Sequence, residues 1–161
     1  MIDLSLKYVG DLVRKEPFVC VVTDEDLNTA GESFFKSNKV NGLYEFDNCK
    51  VMLEKPGVKM DLGEILIIFP KRNIIHRFFR PNTIGNTILL TEQCDQICVM
   101  CSQPPKKKDY LYWELYLQAA SLIPEGGVLG ISGGEPTLYK EPLLDFLLDC
   151  VKANSSLQIN V

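Results

Sequence analysis

Apolar positions in the first half of the chain fall into short runs. Phe18–Val22 is apolar and rich in β-branched residues, and Leu43–Phe46 and Val51–Leu53 are shorter runs bounded by Asn, Asp, Gly or Pro. Such runs predict strands joined by turns. Asp24–Ser37 is expected to hold a short helix, weakened by Gly31. Glu64–Phe69 and Ile74–Phe79 flank Pro70-Lys71-Arg72-Asn73 and predict a hairpin with a four-residue loop.

Beyond Arg80–Thr83 the period changes. Thr87–Leu90 reads as a buried strand whose end delivers Cys94, and a polar, proline-containing loop follows. A helix is predicted from about Tyr110 to Leu122, with Leu111, Leu115, Ala119 and Leu122 on one face, stopped by Pro124–Gly127. Val128–Ser132 is a second buried strand. Glu141-Pro142 opens a second helix with Leu143, Leu147 and Val151 aligned, Asn154–Ser156 ends it, and Leu157–Val161 reads as a third strand. The order strand, helix, strand, helix, strand predicts an α/β region over 83–161 with parallel strands and right-handed crossovers, preceded by a small β-rich region over 1–82. Ligands collect beyond the C-terminal ends of parallel strands. Cys94 follows the first strand and Gly133 the second, so both are expected at one end of neighbouring strands.

Composition narrows the function classes. Hydrophobic content of 46% and charged content of 24% over 161 residues are ordinary for a packed chain. A net charge of −4 argues against nucleic acid as a partner, and no apolar run is long enough to cross a bilayer. There is no signal-peptide pattern, so the chain reads as cytoplasmic, where six cysteines point to metal or redox chemistry rather than disulfides.

Cys94, Cys98 and Cys101 form C-x3-C-x2-C, and Gly133-Gly134-Glu135-Pro136 lies about thirty residues on. Three thiolates leave one iron of a cubane [4Fe–4S] cluster without a protein ligand. The bland alternative is three ligands of a structural zinc site, completed by His76 or another cysteine; His76, inside an apolar run, reads more simply as a core or edge histidine. Gly133 and Gly134 permit close backbone approach, and Pro136 fixes the turn. Cys20, Cys49 and Cys150 read as small core residues, and Tyr112, Trp113 and Tyr116 as packing residues. Lys106–Lys108 reads as a solvated loop, or as a rim attracting an acidic substrate. No residue stands out as a general acid or base.

The cysteine triplet and the Gly-Gly-Glu-Pro turn together resemble the radical S-adenosylmethionine (radical SAM) superfamily. Thr91–Cys94 and Cys101–Lys106, the latter with Ser102-Gln103-Pro104-Pro105, resemble more closely its His-Xaa-Ser system maturases, over Thr87–Val161. Met100 and Asp95 depart from the superfamily's frequent aromatic residue and asparagine. The resemblance implies the first three strands and two helices of a partial TIM-type barrel. It also implies a [4Fe–4S] cluster on Cys94, Cys98 and Cys101, and S-adenosyl-L-methionine held by Gly133, Gly134, Glu135 and Pro136. The implied enzyme cleaves that cofactor by one-electron chemistry, fed by an electron donor protein. It modifies a ribosomally made precursor peptide with His-Xaa-Ser repeats, beside a second maturase. A small-molecule substrate is the alternative, as is a catalytically silent fragment whose first eighty residues bind a peptide or partner by strand addition. Superfamily barrels continue past a third strand, so a truncated sequence with an exposed parallel edge at Leu157–Val161 is expected.

Overall fold

The computed structural model describes residues 2–9, 14–24, 34–37, 43–46, 49–53, 58–96, 98–101, 106 and 111–161. In 2–9, 34–37, 43, 45–46 and 49–52 the backbone alone is described. The chain divides into two compact units, Met1–Thr83 and Ile84–Val161. No helix among the described residues is long and apolar enough to cross a membrane.

Among its described residues the first unit has seven strands: β1 (Ile2–Val9), β2 (Phe18–Thr23), β3 (Phe34–Ser37), β4 (Leu43–Phe46), β5 (Cys49–Leu53), β6 (Ile65–Phe69) and β7 (Ile74–Phe79). They pair in the order β1-β5-β4-β3-β2-β6-β7, and β7 returns to β1, so the sheet closes into a barrel. Every neighbouring pair is antiparallel except β2–β3. The β-rich reading extends here to a closed ring, which abolishes open edges. Strand addition to this unit would therefore require the ring to open. Phe34–Ser37 is a strand rather than the end of the expected helix, its backbone tied to both β2 and β4; residues 25–33 of that expectation lie outside the described set.

Alternate residues of β2 and β6 share one buried cluster. Phe18, Cys20 and Val22 on β2, Leu66 and Ile68 on β6, and Ile75 on β7 gather with Tyr44, Leu53 and Met60 in one buried cluster. Full burial of a side chain such as Leu66 or Ile75 stabilises by about 1.5–3 kcal/mol. The β6–β7 hairpin forms as expected: Pro70–Arg72 makes one 3-10 turn and Asn73 adopts the left-handed region at φ 54°. Asn tolerates that conformation better than most residues. Glu64, just before β6, is fully buried against Arg77 through two side-chain hydrogen bonds, Arg77 Nε to Glu64 Oε2 at 2.7 Å and Arg77 Nη2 to Glu64 Oε1. The Asp61 amide donates to the same carboxylate at 2.9 Å, and the Met60 amide donates to the buried Tyr44 hydroxyl at 2.8 Å.

The second unit contains β8 (Thr87–Thr91), α1 (Trp113–Ser121), β9 (Val128–Gly133), α2 (Lys140–Ala153) and β10 (Gln158–Asn160). The sheet is parallel, in the order β10-β9-β8. Ile88, Leu90, Leu129 and Ile131 are buried, and the helices touch through Trp113 and Phe146, whose ring centroids lie 5.8 Å apart. The mixed α/β architecture is thus as expected. The helical faces are turned by about one residue from the expectation. On α1 the buried residues are Tyr116, Ala119 and Ala120, followed by Ile123, while Leu122 is exposed. On α2 they are Leu143, Phe146 and Cys150, while Val151 is 55% exposed. Spacings of i, i+3, i+7 and i, i+4, i+8 fit one stripe equally well, and the stripe buried on α2 is the one that contains Phe146. Pro142 stands in the first turn of α2, where its missing N–H would have no helical partner. The Asn154 side chain donates to the Ile123 carbonyl at 2.7 Å and so ties the two helix ends together.

Candidate functional site

Neighbouring parallel strands carry the two motifs to one end of the sheet. β8 pairs with β9 through Thr87↔Gly130, Ile88↔Ile131 and Leu89↔Ser132, and an irregularity before Thr91 brings it opposite Gly133. Cys94 begins three residues past β8, and Gly134 follows β9 directly. The Gly134 amide donates to the Thr91 carbonyl at 2.9 Å, and the Glu135 amide donates to the Gln93 carbonyl at 2.8 Å. A β-carbon on Gly133 would stand 2.4 Å from the Thr91 carbonyl oxygen. One on Gly134 would stand 2.1 Å from that of Gln93 and 3.0 Å from Cys94 Cβ. Both glycines are therefore required by close approach of the Cys94 chain itself.

The cysteine loop is closed at its base. Lys106 donates its amide to the Glu92 carbonyl at 3.0 Å, and its ammonium pairs with the Glu92 carboxylate at 2.6 Å. Between these residues the chain carries all three cysteines. Cys94 is half-buried; its sulfur accepts from the Gln96 amide at 3.4 Å and donates to the Gln96 carbonyl at 3.6 Å. Cys98 and Cys101 are exposed and share a turn closed by the Cys101 amide on the Cys98 carbonyl at 3.1 Å. Val99 and Met100 project from that turn, Met100 at 96% exposure. Among the described residues no three His, Cys, Asp or Glu side chains are gathered about a point where one metal ion would sit. Donors around a single zinc ion would lie within about 4 Å of one another, whereas the thiolates of a cubane reach separate irons. His76 belongs to the first unit, where it is buried with its ring 4.5 Å from that of Phe69, as a core histidine.

Glu135 caps a short 3-10 turn, Pro136–Tyr139. Its carboxylate accepts from the Thr137 hydroxyl at 2.5 Å and the Thr137 amide at 3.0 Å, and these bonds, the hydroxyl first, hold its carboxyl below the ordinary glutamate range. Tyr139, the last residue of the turn, donates its hydroxyl to Gln93 Oε1 at 2.8 Å. Thr137, Tyr139, Gln93 and the Glu92–Lys106 pair escaped the sequence reading. Thr137 had a signal, a hydroxyl two residues past a capping carboxylate; Tyr139 and Gln93, 46 residues apart, had none.

Cys20 and Cys150 are buried, as expected of core thiols, while the Cys49 side chain, Ser102–Pro105, Lys107 and Lys108 lie outside the described residues. Tyr116 is buried and Tyr112 meets it edge-on at 6.4 Å. Comparison with protein families, with curated proteins and with solved structures finds no match.

Proposed function

We propose that the second unit holds a [4Fe–4S] cluster on Cys94, Cys98 and Cys101 and S-adenosyl-L-methionine against Gly133–Pro136, as part of a radical SAM enzyme that modifies a ribosomally made peptide. The observation that carries this reading is the packing of Gly134 onto Gln93 and Cys94, which puts a three-thiol loop and a carboxylate-bearing glycine turn side by side at the ends of adjacent parallel strands. The donor set fits the group. Three thiols on one surface loop provide soft ligands for iron, and leave one coordination position for a chelating ligand. Sequential strand order with touching helices is compatible with the start of a β/α barrel, and equally with one half of a doubly wound sheet.

When bound, cluster and cofactor supply one-electron chemistry that removes hydrogen from unactivated C–H bonds. The chain's own residues position it. Glu135, whose charged form the Thr137 bonds favour, retains acceptor capacity for a cofactor ammonium. Gly133 and Gly134 keep that carboxylate next to the Cys94 loop, and Pro136 opens the turn that orients it. A precursor peptide with His-Xaa-Ser repeats is the substrate class to which the Thr91–Lys106 resemblance points, with a second maturase and an electron donor protein as partners.

Anaerobic reconstitution with iron and sulfide tests the reading. The expected result is iron and sulfide in equal amounts and a reduced-cluster electron paramagnetic resonance (EPR) signal that changes when S-adenosylmethionine is added. Zinc in place of iron, or an EPR signal indifferent to the cofactor, would overturn it. Mass spectrometry of a His-Xaa-Ser peptide incubated with the reduced, loaded chain then tests the substrate class.

A further inference from the structure

We propose that Tyr139 is a positioning residue that clasps the cysteine loop to the glycine turn through the side chain of Gln93, so that metal binding and cofactor binding in this unit are energetically coupled. The proposal rests on the function proposed above. Its ground is that Gln93, immediately before Cys94, is held at three atoms. Its amide donates to Thr91 Oγ1 at 3.0 Å, its carbonyl accepts from the Glu135 amide at 2.8 Å, and its side-chain oxygen accepts from the Tyr139 hydroxyl at 2.8 Å. Two of those three bonds come from the far side, from Glu135 and from the end of the turn that Glu135 caps.

Backbone bonds such as Glu135 to Gln93 form whatever the side chains are. The Tyr139–Gln93 bond is the side-chain choice in this contact, and both residues are partly buried, where an exchange for water is least favourable. Tyr139 also directly precedes α2. A shift of the turn that moved the Glu135 carboxylate would pull on Gln93, and with it on the adjoining Cys94. Two sites sharing such a rigid element influence each other reciprocally: a ligand that fixes one lowers the ordering cost of the other.

Tyr139→Phe, Gln93→Ala, their double variant and Gln93→Glu, which keeps an acceptor oxygen, test the clasp. After anaerobic reconstitution each is expected to hold as much iron as the parent. In Tyr139→Phe and Gln93→Ala, the S-adenosylmethionine concentration at the midpoint of the EPR change is expected to rise about three- to tenfold, the worth of one hydrogen bond. The double variant is expected to lose no more than either single one, and Gln93→Glu to respond as the parent does. Unchanged midpoints in both single variants, additive losses in the double, or loss of iron together with the response would overturn the proposal. A parent chain that takes up no cluster would instead overturn the function proposed above. The clasp is then decided in the metal-free chain by hydrogen exchange: faster exchange of the Gly134 and Glu135 amides in Tyr139→Phe and Gln93→Ala supports it, and parent rates refute it.

Discussion

The carbonyl oxygen of Gln93 lies 2.1 Å from the place a β-carbon on Gly134 would occupy. Because the obstructing atom is backbone, no rotamer change relieves the clash. Gly134→Ala must push apart the Cys94 chain and the turn that caps with Glu135, breaking the Glu135–Gln93 bond. Overpacking of this kind costs about 1–3 kcal/mol. Chemical denaturation followed by far-ultraviolet circular dichroism should show a lower midpoint for the variant. In the reconstituted chain the EPR response to S-adenosylmethionine should fall by more than in Tyr139→Phe, since a backbone bond is lost as well. A variant with the parent's midpoint and response would show that the close approach is not needed.

The buried pair in the first unit makes a prediction independent of any ligand. Arg77 and Glu64 have side chains 10% and 0% exposed, and the Asp61 amide adds a further bond to the carboxylate. Removing one partner leaves the other buried and uncompensated, at a cost of about 3–5 kcal/mol. Arg77→Met is expected to destabilise the chain by that order in urea unfolding. Replacing both residues, Glu64→Met with Arg77→Leu, is expected to recover much of the loss, because the desolvation cost then disappears for both ions. A double variant less stable than Arg77→Met would contradict this account.

Parts of this architecture were legible in the sequence, for physical reasons that differ by element. The β6–β7 hairpin showed itself because two apolar runs flank a proline-and-asparagine turn, and the turn is decided locally. The meeting of Cys94 with Gly133 was also foreseeable, since parallel strands joined by helices must present their C-terminal ends on one side. β1 carries a strict alternation, Ile2, Leu4, Leu6 and Tyr8 against Asp3, Ser5 and Lys7, which is the local signature of a strand. β3 differs from the helix expected there because Phe34–Ser37 is fixed by backbone pairing to both β2 and β4, and such pairing overrides local propensity. Barrel closure depends on β1 meeting β7, a contact that no local window contains. The Tyr139–Gln93 bond was illegible for the same reason.

Thiol reactivity separates the cysteines. Burial raises the Cys20 thiol far above its ordinary range, and burial, with a smaller contribution from nearby Asp149, pushes Cys150 up to about 11. At pH 8 Cys150 is thiolate in only about one molecule in a thousand, and the thiolate is the reactive form. Peptide-resolved alkylation of the native, metal-free chain should therefore modify Cys98 and Cys101 first and Cys94 more slowly, in keeping with their exposure, and leave Cys20 and Cys150 unmodified until denaturant is added. Iron and sulfide should protect the first three together. Protection of only one or two would contradict ligation by all three.

The Glu135–Thr137 contact predicts a pH effect with a definite sign. The Thr137 hydroxyl and amide both donate to the carboxylate and lower its folded-state pKa. A carboxylate whose folded value is depressed contributes its ordering of the turn fully above the unfolded value, and loses it as pH falls through the folded value. The turn should consequently stay charged and capped when ordinary glutamates have begun to protonate. Thr137→Val removes the hydroxyl, the larger of the two causes, and should move the Glu135 carboxyl titration upward, towards the unperturbed glutamate value. Carbon-13 nuclear magnetic resonance of the labelled side chain reads that titration directly. Reconstituted Thr137→Val should also lose its EPR response to S-adenosylmethionine at a higher pH than the parent as the solution is acidified, because a protonated carboxyl accepts less strongly from an ammonium. A Glu135 titration identical in parent and variant would mean that Thr137 does not govern this charge.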